Sequence, residues 1–124
     1  MSKQEERRKK LEIQVHTPAT LTVWREAVEK VTHEFDRHVP YDNFLAAADG
    51  DMDRATQLRS DIVTSGKWLS RVLRNPTEAA QQAGHVVARM VEFVAAVWVL
   101  LDHIPDPVKA AIADSVNILA AFKF

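Results

Sequence analysis

Two histidines near residue 35 have a spacing close to that of a zinc protease. His33, Glu34 and His38 are similar to the His-Glu-x-x-His pattern, in which two histidines four positions apart share one helical face and bind zinc. Here the histidines are five positions apart, so a continuous helix would separate their side chains by about 140° around its axis. We therefore expect no shared metal. The pattern favours a polar helix end, with His38 near the negative end of the helix dipole.

Three aspartates at alternate positions, Asp49, Asp51 and Asp53, are similar to the start of a calcium-binding EF-hand loop. That loop needs glycine at its sixth position and glutamate at its twelfth. Counting from Asp49, those positions hold Arg54 and Ser60. The aspartates therefore indicate a turn followed by an acidic first helical turn, and we expect no metal and no other cofactor.

The segment Ser65-Gly66-Lys67 is similar to the end of a phosphate-binding P-loop. The P-loop requires serine or threonine after the lysine, and this chain has Trp68 there. The chain also lacks the Gly-x-Ser-x-Gly pattern and has no cysteine to act as a nucleophile. No set of catalytic residues emerges, and we predict that the protein is not an enzyme.

A basic region with an adjacent tryptophan is the strongest candidate for nucleic-acid binding. Lys67, Arg71 and Arg74 recur at i, i+4 and i+7 on one helical face. Arg59 extends the basic character and Trp68 lies near that face, so both are candidates as well. Such a face can contact phosphates while the indole stacks on a base. The alternative is a solvated face, or one that pairs with the acidic first helix.

The elements that position these residues are all predicted to be helices. Three prolines follow a threonine, an asparagine or an aspartate, which is typical of an N-cap with proline at the first helical position. Together with the apolar spacing, they predict helices over residues 18–37, 42–48, 51–73, 76–102 and 107–122. Gly66 lies inside the third helix and marks either close helix packing or a break.

The N-terminal residues 1–16 are predicted to form a basic arm or a short extension before a bundle domain at 17–124. Leu11, Ile13 and Val15 alternate with polar residues, which is a strand period. An extended arm or a frayed extension of the first helix is the favoured interpretation, because the chain has no second candidate strand. A strand pairing with another chain is the alternative.

Composition fits a globular protein of one domain. The chain has 124 residues, 47% of them hydrophobic, with a net charge of −1. The apolar run at 86–101 would span about 24 Å as a helix, less than the roughly 30 Å of a bilayer core, and it contains Arg89 and Glu92. It therefore predicts a core helix, and we expect a cytoplasmic protein without a membrane partner.

The residues of the 86–101 helix divide into two halves at 100° per position. One half carries the large side chains, including Val91 and Trp98, and is expected to form the core. The other half is small, and its Ala88, Ala95, Ala96 and Val99 are the candidate interface residues. Of the other two tryptophans, we expect Trp24 in the core and Trp68 at an interface.

These patterns predict an all-α fold, a single-domain bundle of four to five helices around a central hydrophobic helix at about 76–102. The favoured function is that of a non-enzymatic intracellular assembly subunit or adaptor, either a homo-oligomer or part of a larger complex. The alternative is a nucleic-acid-binding helical module, such as a small subunit of a ribonucleoprotein or a phage or plasmid accessory factor. A small enzyme or ligand-binding bundle is the third hypothesis, which rests only on the acidic turn and scattered histidines.

Overall fold

A computed structural model describes residues 17–120 and, before them, Lys3, Glu5 and Glu6. Within that part of the chain the fold is an all-α bundle of six helices, as the sequence predicted in class. The helices are α1 (Pro18–Arg37), α2 (Tyr41–Ala47), α3 (Met52–Leu73), α4 (Pro76–Gln81), α5 (Ala83–Leu100) and α6 (Asp106–Ala120), with a 3₁₀ turn at Leu101–His103. The predicted arm lies outside the described residues, apart from the three named.

The helix starts follow local capping chemistry. The Asn75 side chain accepts a hydrogen bond from the Glu78 backbone N–H at 3.1 Å, and Asp51 does the same for Arg54 at 3.1 Å. These bonds satisfy backbone N–H groups that have no partner within the helix. Thr17 precedes Pro18 in an extended conformation without a side-chain cap bond. The proline there is sufficient to start α1, because its fixed φ already suits a helix.

The helix predicted over 76–102 is interrupted at Gln82, which corrects the sequence analysis. Gln82 has a non-helical backbone at φ −111° and ψ 27°. Its N–H donates to the Glu78 carbonyl at 3.0 Å, which closes α4, and its own carbonyl accepts from Val86 at 2.9 Å, which starts α5. Gly84, a weak helix former, lies two residues later. The break accounts for six helices instead of five.

The core forms where α1, α3, α5 and α6 meet. Helix α3 packs against α1, α2, α4 and α5, and α6 packs against α1 and α5. The largest fully buried side chains come from five helices: Trp24, Val28, Phe35, Phe44, Ile62, Leu69, Met90, Phe93, Leu100, Ile112 and Leu119. The predicted burial of Trp24 and of the apolar side of α1 is confirmed. The buried surface of these side chains is the main source of stability.

Gly66 marks a close approach between α1 and α3. Helix α3 continues through it without a break. A Cβ atom at Gly66 would overlap Thr32 Oγ1 and lie 3.0 Å from Thr32 Cβ, which is too close for any larger residue without movement. The Thr32 hydroxyl is fixed because it donates to the Val28 carbonyl at 2.7 Å. Of the two alternatives for this glycine, close packing is correct.

Candidate functional site

Helix α5 buries one side and exposes the other. Its buried side chains are Val86, Val87, Met90, Phe93, Val94, Val97 and Leu100. At 100° per residue these positions span about 140° of the helix circumference. The side of the helix opposite this sector is turned away from the bundle core.

The exposed side carries large apolar side chains, which corrects the placement of two residues. Trp98 and Val91 were expected in the core, but they are 46% and 42% exposed. Trp98 and Val91 lie about 20° and 40° beyond the edge of the buried sector. The apolar half of α5 therefore extends beyond the surface that the neighbouring helices cover. Val99, on the predicted small half, is 53% exposed.

The outer face of α5 is defined here by Ala88, Val91, Ala95, Trp98 and Val99. Ala95 is exposed and Ala88 is half-buried, so three of the four predicted interface residues lie on this face. The fourth, Ala96, is half-buried and packs against the core instead. The valine and the tryptophan that complete the face were missed because their exposure depends on tertiary packing.

Helix α5 carries more exposed large hydrophobic side chains than any other helix among the described residues. Seven such side chains are exposed, and three of them share this one face. The other four are distributed over α1, α2, α3 and α6: Val23, Tyr41, Met52 and Ile118. Isolated exposed hydrophobic residues are common on any protein surface, whereas a grouped set marks an interaction site.

Charged side chains border the outer face on one edge. Arg89 Nη1 lies 3.8 Å from Glu92 Oε2, three residues along the helix. The Arg89 guanidinium also lies over the Trp68 ring of α3, at 5.9 Å from the ring centroid. This contact covers one face of the indole, and Trp68 is half-buried against the core. Trp68 therefore serves mainly to join α3 to α5.

The predicted basic region lies along α3, and the structure pairs most of its cations with carboxylates. Arg59 Nη2 lies 3.2 Å from Asp36 Oδ1. Arg74 donates to Glu29 Oε1 from both Nε and Nη2, at 3.0 and 2.7 Å. Both acids belong to α1, so the alternative of pairing with the acidic first helix holds for these two arginines.

The remaining cations of this region are less constrained. Arg71 Nη1 lies 3.8 Å from Glu78 Oε1, at the long end of an ion pair, and its side chain is 65% exposed. Lys67 forms no ion pair with any described residue. Together with Arg74, these side chains line an open cleft of about 420 Å³ between α1 and α3, which also contacts Glu29, Thr32, His33 and Ser70.

The two histidines at the end of α1 lie closer together than their spacing predicts. The rings of His33 and His38 are 5.7 Å apart in an edge-to-face arrangement. Helix α1 ends at Arg37, and His38 has φ −123° and ψ −1°, so helical geometry no longer separates the two side chains. Even so, the described residues contain no group of three histidine, cysteine, aspartate or glutamate side chains that could hold a metal ion.

The acidic turn at 49–53 has a local structural role. Asp49 and Gly50 both have positive φ, at 53° and 86°, and they reverse the chain between α2 and α3. Glycine adopts this conformation without a steric penalty, and aspartate tolerates it better than most residues. Asp51 then caps α3.

The segment Ala83–His103 is long and apolar enough to cross a membrane, by length and composition alone, with a mean hydropathy of 1.7. In the fold, 44% of that apolar window is buried within the bundle. No protein-family model, curated protein or solved structure matches this chain. A functional proposal therefore rests on the exposed surfaces of the chain itself.

Proposed function

We propose that this protein is a non-enzymatic assembly subunit or adaptor that binds a protein partner through the outer face of α5. The observation that carries the proposal is the grouping of Val91, Trp98 and Val99, each more than 40% exposed, on one side of one helix. Tryptophan is among the residues that contribute most to protein–protein binding when it is buried by a partner. Covering a large apolar side chain contributes up to about 1.5–3 kcal/mol.

The shape of the outer face suits a helical partner. Ala88 and Ala95 alternate along the helix with Val91 and Trp98. The small residues leave hollows between the large ones, and a partner helix can place its own side chains in such hollows. This surface favours an apolar helix over an extended peptide, which would need a free strand edge.

The outer face also belongs to a rigid element. The opposite side of α5 forms the core through fully buried residues such as Met90, Val97 and Phe93. A partner would therefore bind a surface that is already ordered, and association would cost little conformational entropy.

The experiment uses size-exclusion chromatography to compare the complexes recovered from the cells that produce the protein. It compares the wild type with two matched variants. Val91→Glu places a charge on the outer face, and Val23→Glu places the same charge on α1, where the valine is 41% exposed against 42% for Val91. We expect the wild type and Val23→Glu to elute well above the 14.0 kDa monomer, and Val91→Glu to elute as a monomer. Circular dichroism checks that both variants remain folded. Equal elution of all three proteins would contradict the proposal, as would a wild type that stays monomeric even when it is loaded well above the micromolar concentrations at which a weak complex forms.

A second candidate function is contact with nucleic acid through the α1–α3 cleft. It is favoured by Lys67, which has no ion-pair partner among the described residues, and by the exposed Arg71, and the two lie one helical turn apart beside the cleft. Two or three phosphate contacts give weak binding that decreases steeply with salt. Binding of single- and double-stranded probes is measured at roughly 50 mM salt, where phosphate contacts are strong. We expect the double substitution Lys67→Glu and Arg71→Glu to abolish any binding seen there. No binding by the wild type at that salt concentration would exclude this function.

A further inference from the structure

We infer that the outer face of α5 binds a second copy of this chain, with the two α5 helices antiparallel about a two-fold axis level with Phe93. The inference rests on the proposed function and adds the identity and orientation of the partner. It starts from the order of large and small residues along the outer face. When a second copy runs in the opposite direction, its small residues lie opposite the large residues of the first.

The complementarity follows from the positions of four residues. Ala88 and Trp98 each lie five residues from position 93, and Val91 and Ala95 each lie two residues from it. In an antiparallel pair centred there, Ala88 faces Trp98 of the second copy, and Val91 faces its Ala95. Within this row of four residues each large side chain then meets a small one, while Val99 lies at the edge of the face, outside the row. The spacing of three, four and three residues is that of a coiled-coil contact.

A parallel pair of the same helices would fit poorly. It would place Trp98 against Trp98 and Ala88 against Ala88, so that one end of the contact is overfilled and the other is left open. Voids and overfilled contacts both weaken packing. The order of residues on the outer face therefore selects the antiparallel orientation.

The charged border of the outer face is compatible with self-association. Each copy brings one guanidinium, Arg89, and one carboxylate, Glu92, already 3.8 Å apart. The two-fold axis brings the two borders together with equal numbers of cations and anions, so the contact has no net charge. The Glu92 carboxylates approach each other near the axis, and each retains its own arginine. The arginine of each copy reduces the repulsion between the two carboxylates only in part, because the Arg89–Glu92 pair is mostly exposed, and the remaining repulsion lowers the affinity of the pair.

The size of the contact sets the expected affinity. Helix α5 has 18 residues and is about 27 Å long. A single helix pair of this length buries less than the roughly 1,200–2,000 Å² of a standard stable interface. We therefore expect association at micromolar or higher concentrations, in exchange with the monomer.

Single cysteine variants test the orientation directly, because the chain has no native cysteine. Ala88→Cys and Val99→Cys both place a thiol on the outer face and leave Trp98 intact. In the antiparallel pair, position 88 of one copy lies within about 1.5 Å, along the helix axis, of position 99 of the other. Two copies of Ala88→Cys would be offset by about 15 Å, and two copies of Val99→Cys by about 18 Å.

The experiment treats each variant alone, and an equimolar mixture carrying tags of different mass, with a short bis-maleimide. We expect the mixture to give a crosslinked product containing both tags, at least tenfold more than either variant alone. Val23→Cys is the control for random collision. A parallel arrangement would crosslink each variant with itself and not with the other, which would overturn the inference. Equal background yields in all samples would overturn it as well.

These outcomes separate the inference from the proposed function. Loss of the cellular complex in Val91→Glu, without a mixed crosslink in the purified protein, means that the outer face binds a different protein. In that case the proposed function stands and the second copy is rejected. An unchanged cellular complex in Val91→Glu rejects the proposed function itself.

Discussion

The α1–α3 contact and the outer face of α5 distribute charge and apolar surface in opposite ways. Charged side chains at α1–α3 point toward each other across the helix boundary, as in Arg59 with Asp36 and Arg74 with Glu29. On α5 the large apolar side chain of Trp98 points away from the bundle. A basic region that suggests a ligand site in the sequence thus has most of its arginines paired with carboxylates, whereas part of a helix that suggests core is exposed.

The ion pairs at α1–α3 contribute less to stability than the apolar contacts beneath them. Their side chains are 33–65% exposed, and exposed pairs typically contribute about 0–1 kcal/mol. Gly66, where the two helices approach closely, is buried, and so are the apolar side chains of Trp24 and Leu69. We therefore expect packing changes to have the largest effects, ion-pair changes smaller ones, and changes on the outer face of α5 the smallest effect on folding.

The largest difference should appear between two tryptophans. Trp24 is fully buried and Trp98 is 46% exposed. We expect Trp24→Ala to lower the free energy of unfolding by about 3–5 kcal/mol, because it leaves a large cavity. Trp98→Ala should lower it by about 1 kcal/mol or less. Urea denaturation followed by far-UV circular dichroism, at protein concentrations where the wild type is monomeric, measures both. Similar losses would mean that Trp98 belongs to the core.

The close approach of α1 and α3 predicts that Gly66→Val destabilises the fold. The new side chain meets Thr32 at distances too short for contact, and overfilled sites typically cost about 1–3 kcal/mol. Shortening the opposing side chain with Thr32→Ala should recover part of this loss. A double-mutant cycle over the two positions measures the coupling, and strict additivity would show that the two residues do not touch.

The ion pair of Arg74 with Glu29 predicts a smaller, salt-dependent effect. We expect Arg74→Ala to lower the free energy of unfolding by at most about 1 kcal/mol at low salt, and by less at 1 M salt, roughly where charges a few ångströms apart are screened. Lys67→Ala is the matched control, because Lys67 forms no ion pair among the described residues. Equal changes in the free energy of unfolding for the two substitutions would show that the Arg74–Glu29 ion pair does not stabilise the fold.

Local signals in the sequence predicted much of the fold. Pro18 and the apolar spacing predicted where α1 begins and ends. The side chains of Asn75 and Asp51 cap the first turns of α4 and α3. The break at Gln82 was missed because neither proline nor glycine stands at that position. The nearest local signal is Gly84, a weak helix former two residues later, and a single glycine is often tolerated inside a helix.

The candidate surfaces were less predictable because they depend on distant contacts. Whether Trp98 is covered depends on how many helices pack around α5, and Glu29 and Arg74 meet across 45 positions of the chain. The approach of His33 to His38 depends on the helix ending between them. The sequence did place Ala88, Ala95 and Val99 on the exposed side of α5, because helical periodicity alone separates them from the buried valines.

Site-specific photo-crosslinking in the cells that produce the protein tests the contrast between the two regions most directly. A photoreactive residue replaces Val99 on the outer face of α5 in one variant and Val23 on α1 in the other; both native side chains are more than 40% exposed. The account predicts a discrete protein adduct from position 99, either with a second copy of the chain or with another protein, and none from position 23. The absence of an adduct at position 99, or the same adducts from both positions, would contradict it.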